Sequence, residues 1–385
     1  RGAAMATTYK IHPAIGFARV GNSPTDFFVG PERTGERPDP PGGFKDGQCR
    51  VKRQAARFRI FAHHDDGAVD EITTDQADIV WTVHVANKKA AHPNRGNSGS
   101  AGDLTIDPGQ RSLAGPNSVA VFDGGTITFS GQSATTVPLG EMRTDDHGHL
   151  LVLGGAGTSA SPGGNGVGDF WGNAGWYDDI SDGPVTAAIT LHGSGDTPAV
   201  TGAWVIVAPP KFAPHHDSIT TLWDRVAQQM IDSGLLVAPT TTSYTDDVYP
   251  ILQRARDMAW VQNTVSDHMW THPVTAQPAV DAIFARVGNP AGGGGTMPTL
   301  KGSDHALTPT QYAHLQRWKN GAYTGDWTGV PAPEASVSPD GMDRAALEAC
   351  VGAAFFPGIE AGGIGPGDRP ILERAYAAAF RIDHG

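Results

Sequence analysis

The sequence predicts an α+β fold, with a β-rich portion over residues 5–210 and a helix-rich portion over 211–385. Three observations point there. Short windows rich in β-branched and aromatic residues crowd the first half. Apolar residues at helical spacing take over after Ala208-Pro209-Pro210. The 50 glycines and 29 prolines suit many short strands joined by tight turns and long loops rather than a helical bundle.

In chain order, Arg1 to Ala4 read as a cloning remnant, with Met5 the expected native start. Tyr9 to Val20 alternates loosely around Pro13 and Gly16. Arg57-Phe58-Arg59-Ile60-Phe61, within Ala56 to Ala62, begins by alternating charged with apolar groups, the period of a half-buried strand. Ile79 to Val85 is β-branched and aromatic, again strand-like. Ser118–Phe122, Thr126–Phe129, Leu150–Leu153, Val185–Leu191 and Ala203–Val207 are further strand candidates, punctuated by turn signals such as Asp123-Gly124-Gly125 and Asn165-Gly166. Helices are expected over Ile219–Ser233, Tyr249–Val265, Thr310–Lys319 and Met342–Ala353. Pro309 stands where a first helical turn tolerates its missing N–H. Residues 289–307 and 362–369 read as Gly-rich loops, and no internal repeat is visible.

Composition excludes several function classes. A formal net charge of −12 repels phosphate backbones, so nucleic acid is not expected as a partner. A cationic amine is not repelled. No apolar run approaches the ~20 residues that span a bilayer, so no membrane partner is expected. Two distant cysteines, Cys49 and Cys350, suit reduced thiols in a cytoplasmic protein better than a disulfide framework.

Motif searches leave little. There is no phosphate-binding loop ending in Lys-Ser or Lys-Thr, and Gly163-Gly164-Asn165-Gly166 opens no helix pattern. His63-His64, His147-Gly148-His149 and His215-His216 match no established metal-ligand spacing, so no metal site is expected. The Asp178-Asp179-Ile180-Ser181-Asp182-Gly183-Pro184 stretch gathers carboxylates able to hold a cation or act as a base. Its ordinary reading is an Asp-rich turn whose side chains accept backbone N–H groups. Cys350, near the end of a predicted helix, is by the same reasoning a packed core thiol or a reactive group.

A resemblance carries the reading further. Ile11 to Ser23, Phe27 to Glu32, Arg53 to Phe58, Trp81 to Ala91, Ile106 to Gly109, Leu139 to Glu141, Arg143 to Gly155, Trp176 to Val185, Ala203 to Pro210 and Cys350 to Glu360 fall in order along nearly the whole chain. Together they resemble the lysine ε-oxidase / glycine oxidase family. The resemblance implies an amine or amino-acid oxidase, or the N-terminal portion or a subunit of one. Its cofactor would be cysteine tryptophylquinone, a tryptophan oxidised to a quinone and cross-linked to a cysteine thioether. It places Cys350 at the cross-linking cysteine; nearness to Cys350 in sequence makes Glu360, which falls in the matching Pro357-Gly358-Ile359-Glu360 stretch, and Asp343 the candidate catalytic carboxylates. Glu348 is the third acidic neighbour, for which surface solvation is the ordinary reading. The implied partners are a primary amine or amino-acid substrate, a second polypeptide and an oligomer.

The family's modified tryptophan lies downstream of this cysteine, whereas all nine tryptophans here precede Cys350. Three readings follow. The chain is a split or shortened enzyme, whose tryptophan segment comes from elsewhere. It is a quinone-free homologue acting as a binding or assembly subunit, or as an enzyme with a different centre. Or Cys350 is cross-linked to an upstream tryptophan, Trp318 and Trp327 being nearest in sequence.

Overall fold

The computed structural model describes residues 7–91, 96–168, 173–211, 213–257, 271–295, 297 and 307–350, together with two short strands at 376–378 and 381–382. Its architecture is α+β, as the sequence predicts. The first half supplies β1 (Thr7–His12), β2 (Ile15–Arg19), β3 (Phe27–Val29), β4 (Arg53–His64), β5 (Val69–Ile72), β6 (Ala77–Val83), β7 (Arg111–Ala114) and β8 (Val119–Val121). There follow β9 (Thr126–Ile127), β10 (Thr135–Thr136), β11 (Glu141–Thr144), β12 (Leu150–Leu153), β13 (Ser159–Ala160), β14 (Tyr177–Asp178), β15 (Ser181–Leu191), β16 (Val200–Thr201) and β17 (Ala203–Ala208). Thirteen of these strands form one sheet, with the path β7-β6-β15-β17-β2-β4-β12-β11-β8 and with β1, β3, β5 and β16 branching from it. The pairs β9–β10 and β13–β14 are separate two-stranded ribbons, as are β18 (Tyr376–Ala378) and β19 (Arg381–Ile382).

The hub is β4. Twelve residues long, it pairs with β12 and β3 through its first half and with β1 and β5 through its second. The alternation read in the sequence sets its faces. Phe58, Ile60 and Ala62 join Ile11, Trp81, Met142, Val152 and Val205 in the main core. Arg57 and Arg59 point to the other face, where carboxylates meet them. Gly16 follows from this packing: a Cβ there would stand 2.4 Å from the Phe58 ring.

Five helices follow among the described residues: α1 (Leu222–Asp232), α2 (Tyr249–Asp257), α3 (Gln277–Phe284), α4 (Pro309–Lys319) and α5 (Pro339–Glu348). Their starts are chemically marked. Thr221 with Asp224, and Thr308 with Gln311, form reciprocal capping boxes, and Ser338 caps α5. Pro309 and Pro339 open their helices. The cap moves the start of α5 ahead of the expected Met342, and its helical span ends at Glu348, short of Cys350. The expected helix at Tyr249 is described to Asp257, and its remainder lies outside the described residues. α3, eight residues long and without a side-chain cap, was not among the expected helices, although Pro278 stands in its first turn.

Two layers result. α2, α3 and α4 enclose a second core of Tyr244, Ile251, Leu252, Val280, Leu315 and Trp318. α1 and α5 lie on the outer face of the β2–β17 pair, against Phe17 and Ile206. Among the described residues no helix is long and apolar enough to cross a membrane.

The Asp-rich stretch departs from its reading as a turn. β15 begins at Ser181, so Asp182, Gly183 and Pro184 are paired strand residues opposite Ile206, Val205 and Trp204. Glycine is required at 183 by close backbone approach, since a Cβ there would meet the His84 carbonyl.

Candidate functional site

The site is organised by the descent of α5 toward Cys350. At its start, Ser338 Oγ accepts the Gly341 N–H at 3.1 Å. One turn on, Asp343 is tied at both oxygens. Oδ1 accepts the Ala14 N–H at 2.6 Å, and Oδ2 stands 3.1 Å from His12 Nδ1. The carboxylate therefore fastens α5 to the turn between β1 and β2. Cys350 follows Asp343 by seven positions, about 10 Å if measured along a helix axis. Met342, Ala345, Ala346 and Leu347 are buried along the way. Glu348 is held by Arg344 at 2.8 Å and faces Arg254 at 3.8 Å.

Cys350 is a free thiol, 2% exposed, packed with Phe17, Ile206, Leu222, Ala346 and Leu347. Its carbonyl receives the Leu222 N–H at 3.0 Å, which joins the end of α5 to the start of α1. Its Sγ donates to the Ala346 carbonyl at 3.4 Å. Burial pushes the thiol up to about 11, against the opposing pull of Arg19 and Lys211. Such a thiol is neutral at physiological pH.

Arg19 is the functional candidate that the sequence reading missed. Its guanidinium donates to the Pro209 carbonyl at 3.0 Å and to the Ala349 carbonyl at 3.5 Å, and approaches Cys350 Sγ at 3.9 Å. Its Nε is buried without a hydrogen-bond partner. The available signal was an arginine inside the apolar strand Phe17-Ala18-Arg19-Val20. Beside it opens a cleft of about 50 Å³, lined by Arg19, Phe28, Phe44, Lys52, Lys211 and Ala349, among others. Lys52 and Lys211 are steadied by the Pro41 carbonyl at 2.7 Å and Asp217 at 2.5 Å. Its lining brings two aromatic rings together with three cationic side chains, of which Lys211 is already ion-paired with Asp217. Ala349 lines the cleft and Cys350 follows it in the chain.

Other candidates separate in space. Trp318 and Trp327 pack in the second core with Tyr244, and Trp318 Nε1 donates to the Val274 carbonyl at 3.1 Å. Neither belongs to the Cys350 cluster, against which Trp204 and Trp223 pack instead. Glu360 lies outside the described residues. Among the described residues no three His, Cys, Asp or Glu side chains converge as a metal site.

Within the Asp-rich stretch, Asp179 is a perturbed acid. Asp179 is 2% exposed, and burial, with the Asp178 charge adding to it, raises it from 3.8 to about 6. An unfolded chain releases this proton near 3.8, while the folded chain holds it until about 6. Folding is therefore penalised progressively above pH 4, and fully above about pH 6. Asp179→Asn is expected to stabilise the protein by about 2 kcal/mol at pH 8 and by almost nothing at pH 4. Thermal melts of both proteins at the two pH values check this. An equal Tm change at both would refute it.

The comparisons with known proteins bear on the same residues. The family model described as L-Lysine epsilon oxidase N-terminal matches residues 12–99 and 94–207, and the L-lysine epsilon oxidase C-terminal domain model matches 294–385. The chain is similar to the L-lysine 6-oxidase of Marinomonas mediterranea, at 27% identity over 487 aligned positions. That alignment covers 97% of this chain and 64% of the relative, so the chain spans less than two thirds of the relative's length. The crystal structure of the L-Lys epsilon-oxidase from the same organism matches with a TM-score of 0.68 at 25% identity, over 98% of this chain and 69% of that one. A second structure of the epsilon-lysine oxidase, with a TM-score of 0.71 at 24% identity, covers the same shares and supports the fold.

Proposed function

The chain belongs to the L-lysine epsilon oxidase family, and from that premise we propose that it is an amino-acid oxidase or the portion of one that carries the cysteine side of the active centre. The observation that carries this reading is the match of both family domains, 12–207 and 294–385, with Cys350 inside the second. The reaction would convert a primary amine and water to an aldehyde or oxo acid and ammonia, passing two electrons and two protons to dioxygen to give hydrogen peroxide.

The residues fit one half of the expected cofactor. Cys350 is free, is reached by Arg19 and sits beside a cationic cleft. No tryptophan of this sequence follows Cys350, so in the family's order that half would come from a segment or polypeptide outside this sequence. A bound cysteine tryptophylquinone would supply the electrophilic carbonyl and the two-electron acceptor. This chain's own residues would do the rest. Arg19, Lys52 and Lys211 would hold the substrate carboxylate, and Phe28 and Phe44 would exclude water from its carbon skeleton. Glu360 is the proposed proton acceptor. Asp343, with both oxygens engaged, would act at a distance by fixing α5 and hence Cys350.

A quinone-free homologue is the second reading. The full burial and raised pKa of the Cys350 thiol favour it, because both are properties of a packed core cysteine. One set of measurements separates the two. An oxidase gives amine-dependent peroxide with amino-acid substrates, a visible absorption band and an intact mass that departs from the sequence. All three are expected to disappear in Cys350→Ser. A colourless protein of unmodified mass, inert toward every amine tried, would establish the quinone-free alternative.

A further inference from the structure

On the face of β1 and β4 that α5 covers, two histidines meet tip to tip. We propose that His12 and His63 are a two-imidazole site for a borderline divalent cation, zinc or copper, built independently of the oxidase centre. Strand register brings them together. Thr8 pairs with His63 and His12 pairs with Arg59, so both histidines project from the same face, four residues apart along the ladder. They lean toward each other until the two Nε2 atoms are 3.3 Å apart, with ring centroids 5.4 Å apart. Two imidazole nitrogens bound to one zinc at ~2.0–2.1 Å with a tetrahedral angle would stand about 3.4 Å apart. The pair is therefore already spaced for a shared cation.

The surroundings prepare the nitrogens for that role. Asp343 Oδ2 stands 3.1 Å from His12 Nδ1, which turns the His12 Nε2 toward His63. A carboxylate holding the far side of a ligating imidazole is the usual outer support of a metal site. The Ala14 N–H holds the other oxygen of Asp343, so the support is itself fixed. Lys10, Asp340 and Asp343 are the charged groups near His63. Lys10 opposes a cation and the two carboxylates favour one. His12 is 7% exposed, whereas His63 is only half-buried and leaves a route for the cation and its waters.

With two protein ligands the remaining positions belong to water, so micromolar rather than structural-site affinity is expected. The bound cation would brace β1 against β4 and, through His12 and Asp343, the helix that ends beside Cys350.

A hydrogen bond between two neutral imidazoles gives the same nitrogen spacing, and metal binding tells the two apart. Titrating the full chain with zinc sulfate, and separately with copper sulfate, at pH 7.5 should show one equivalent bound and a Tm that rises with metal. His63→Ala, at the more open position, is expected to weaken binding at least tenfold and to remove the Tm response. Asp343→Asn should weaken it about tenfold. A variant lacking His147 and His215, members of the other histidine clusters, should bind as before. Absence of binding by the folded protein, or unchanged binding in His63→Ala, would overturn the proposal. Neither result depends on oxidase activity.

Discussion

Gly183→Ala is expected to leave little folded protein at 25 °C. A Cβ on Gly183 would lie 1.6 Å from the His84 carbonyl oxygen, 2.7 Å from its carbon and 3.1 Å from Val85 Cα. All three are backbone atoms, so no rotamer change can relieve the clash. The register explains the crowding. β15 pairs with β6 from Leu191–Ala77 to Val185–Val83, and the ladder runs on to a bridge between Asp182 and Ala86. That bridge is closed by reciprocal N–H···O bonds of 3.0 and 3.1 Å. Parting the strands to admit a methyl group would break both and shift the Asp182 side chain from the Trp204 indole, now 2.9 Å away. Overpacking costs about 1–3 kcal/mol, and each buried backbone group left unpaired about as much again. The sum, about 5 kcal/mol, approaches the whole stability of a marginal domain. Gly193, at φ 84° with nothing within 4 Å of its Cβ position, is the control and should cost about 1 kcal/mol on the same change. A Gly183→Ala protein melting within a few degrees of the wild type would contradict the packing described here.

The same segment shows where the sequence was legible. Local chemistry read correctly: the alternation of Arg57 to Phe61 gave the two faces of β4, and Pro309 marked a helix start. Asp-Gly-Pro read wrongly because its local chemistry is that of a turn. What demands glycine at 183 is the backbone of His84 and Val85, nearly a hundred positions earlier in the chain. The candidate site divides similarly. The resemblance singled out Cys350, and its neighbourhood could not be read, because Arg19 lies 331 positions away. Asp343 looked like a candidate base when only its nearness to Cys350 in sequence was known. Its partners, His12 and Ala14, are about as far off in the chain and give it an anchoring role.

Arg59→Met is expected to cost about 3–5 kcal/mol, because it removes one cation from a buried network and leaves its carboxylates. Arg59, with an 11% exposed side chain, bonds Glu32 at 2.9 Å and Glu71 at 2.7 Å. His149 fits between Glu71 at 3.0 Å and Asp145 at 2.9 Å, and Arg57 bonds Glu32 at 3.1 Å. Burial alone would raise Glu71. The hydrogen bonds of His149 and then Arg59 outweigh it and hold Glu71 at about 2, and in Asp145 the His149 bonds do the same, to about 2. These two acids contribute stability that is complete above their ordinary range near 4 and is lost as pH falls toward 2. His149 has the opposite sign: the bonds of Asp145 and Glu71 outweigh its burial and raise it, so its contribution is complete below 6.5 and fades as pH rises through the raised value. In Arg59→Met, Glu71 loses one of its two cationic partners and should titrate higher, so acid unfolding should begin at higher pH. Adding Glu71→Gln removes the carboxylate left with His149 alone and should recover part of the loss, since a buried charge short of a partner costs more than an absent pair. Urea unfolding of the four members of this cycle at pH 7 measures the coupling. A single mutant within about 1 kcal/mol of the wild type, or a double mutant no more stable than Arg59→Met, would show that solvent screens this network rather than the sheet and its covering chain.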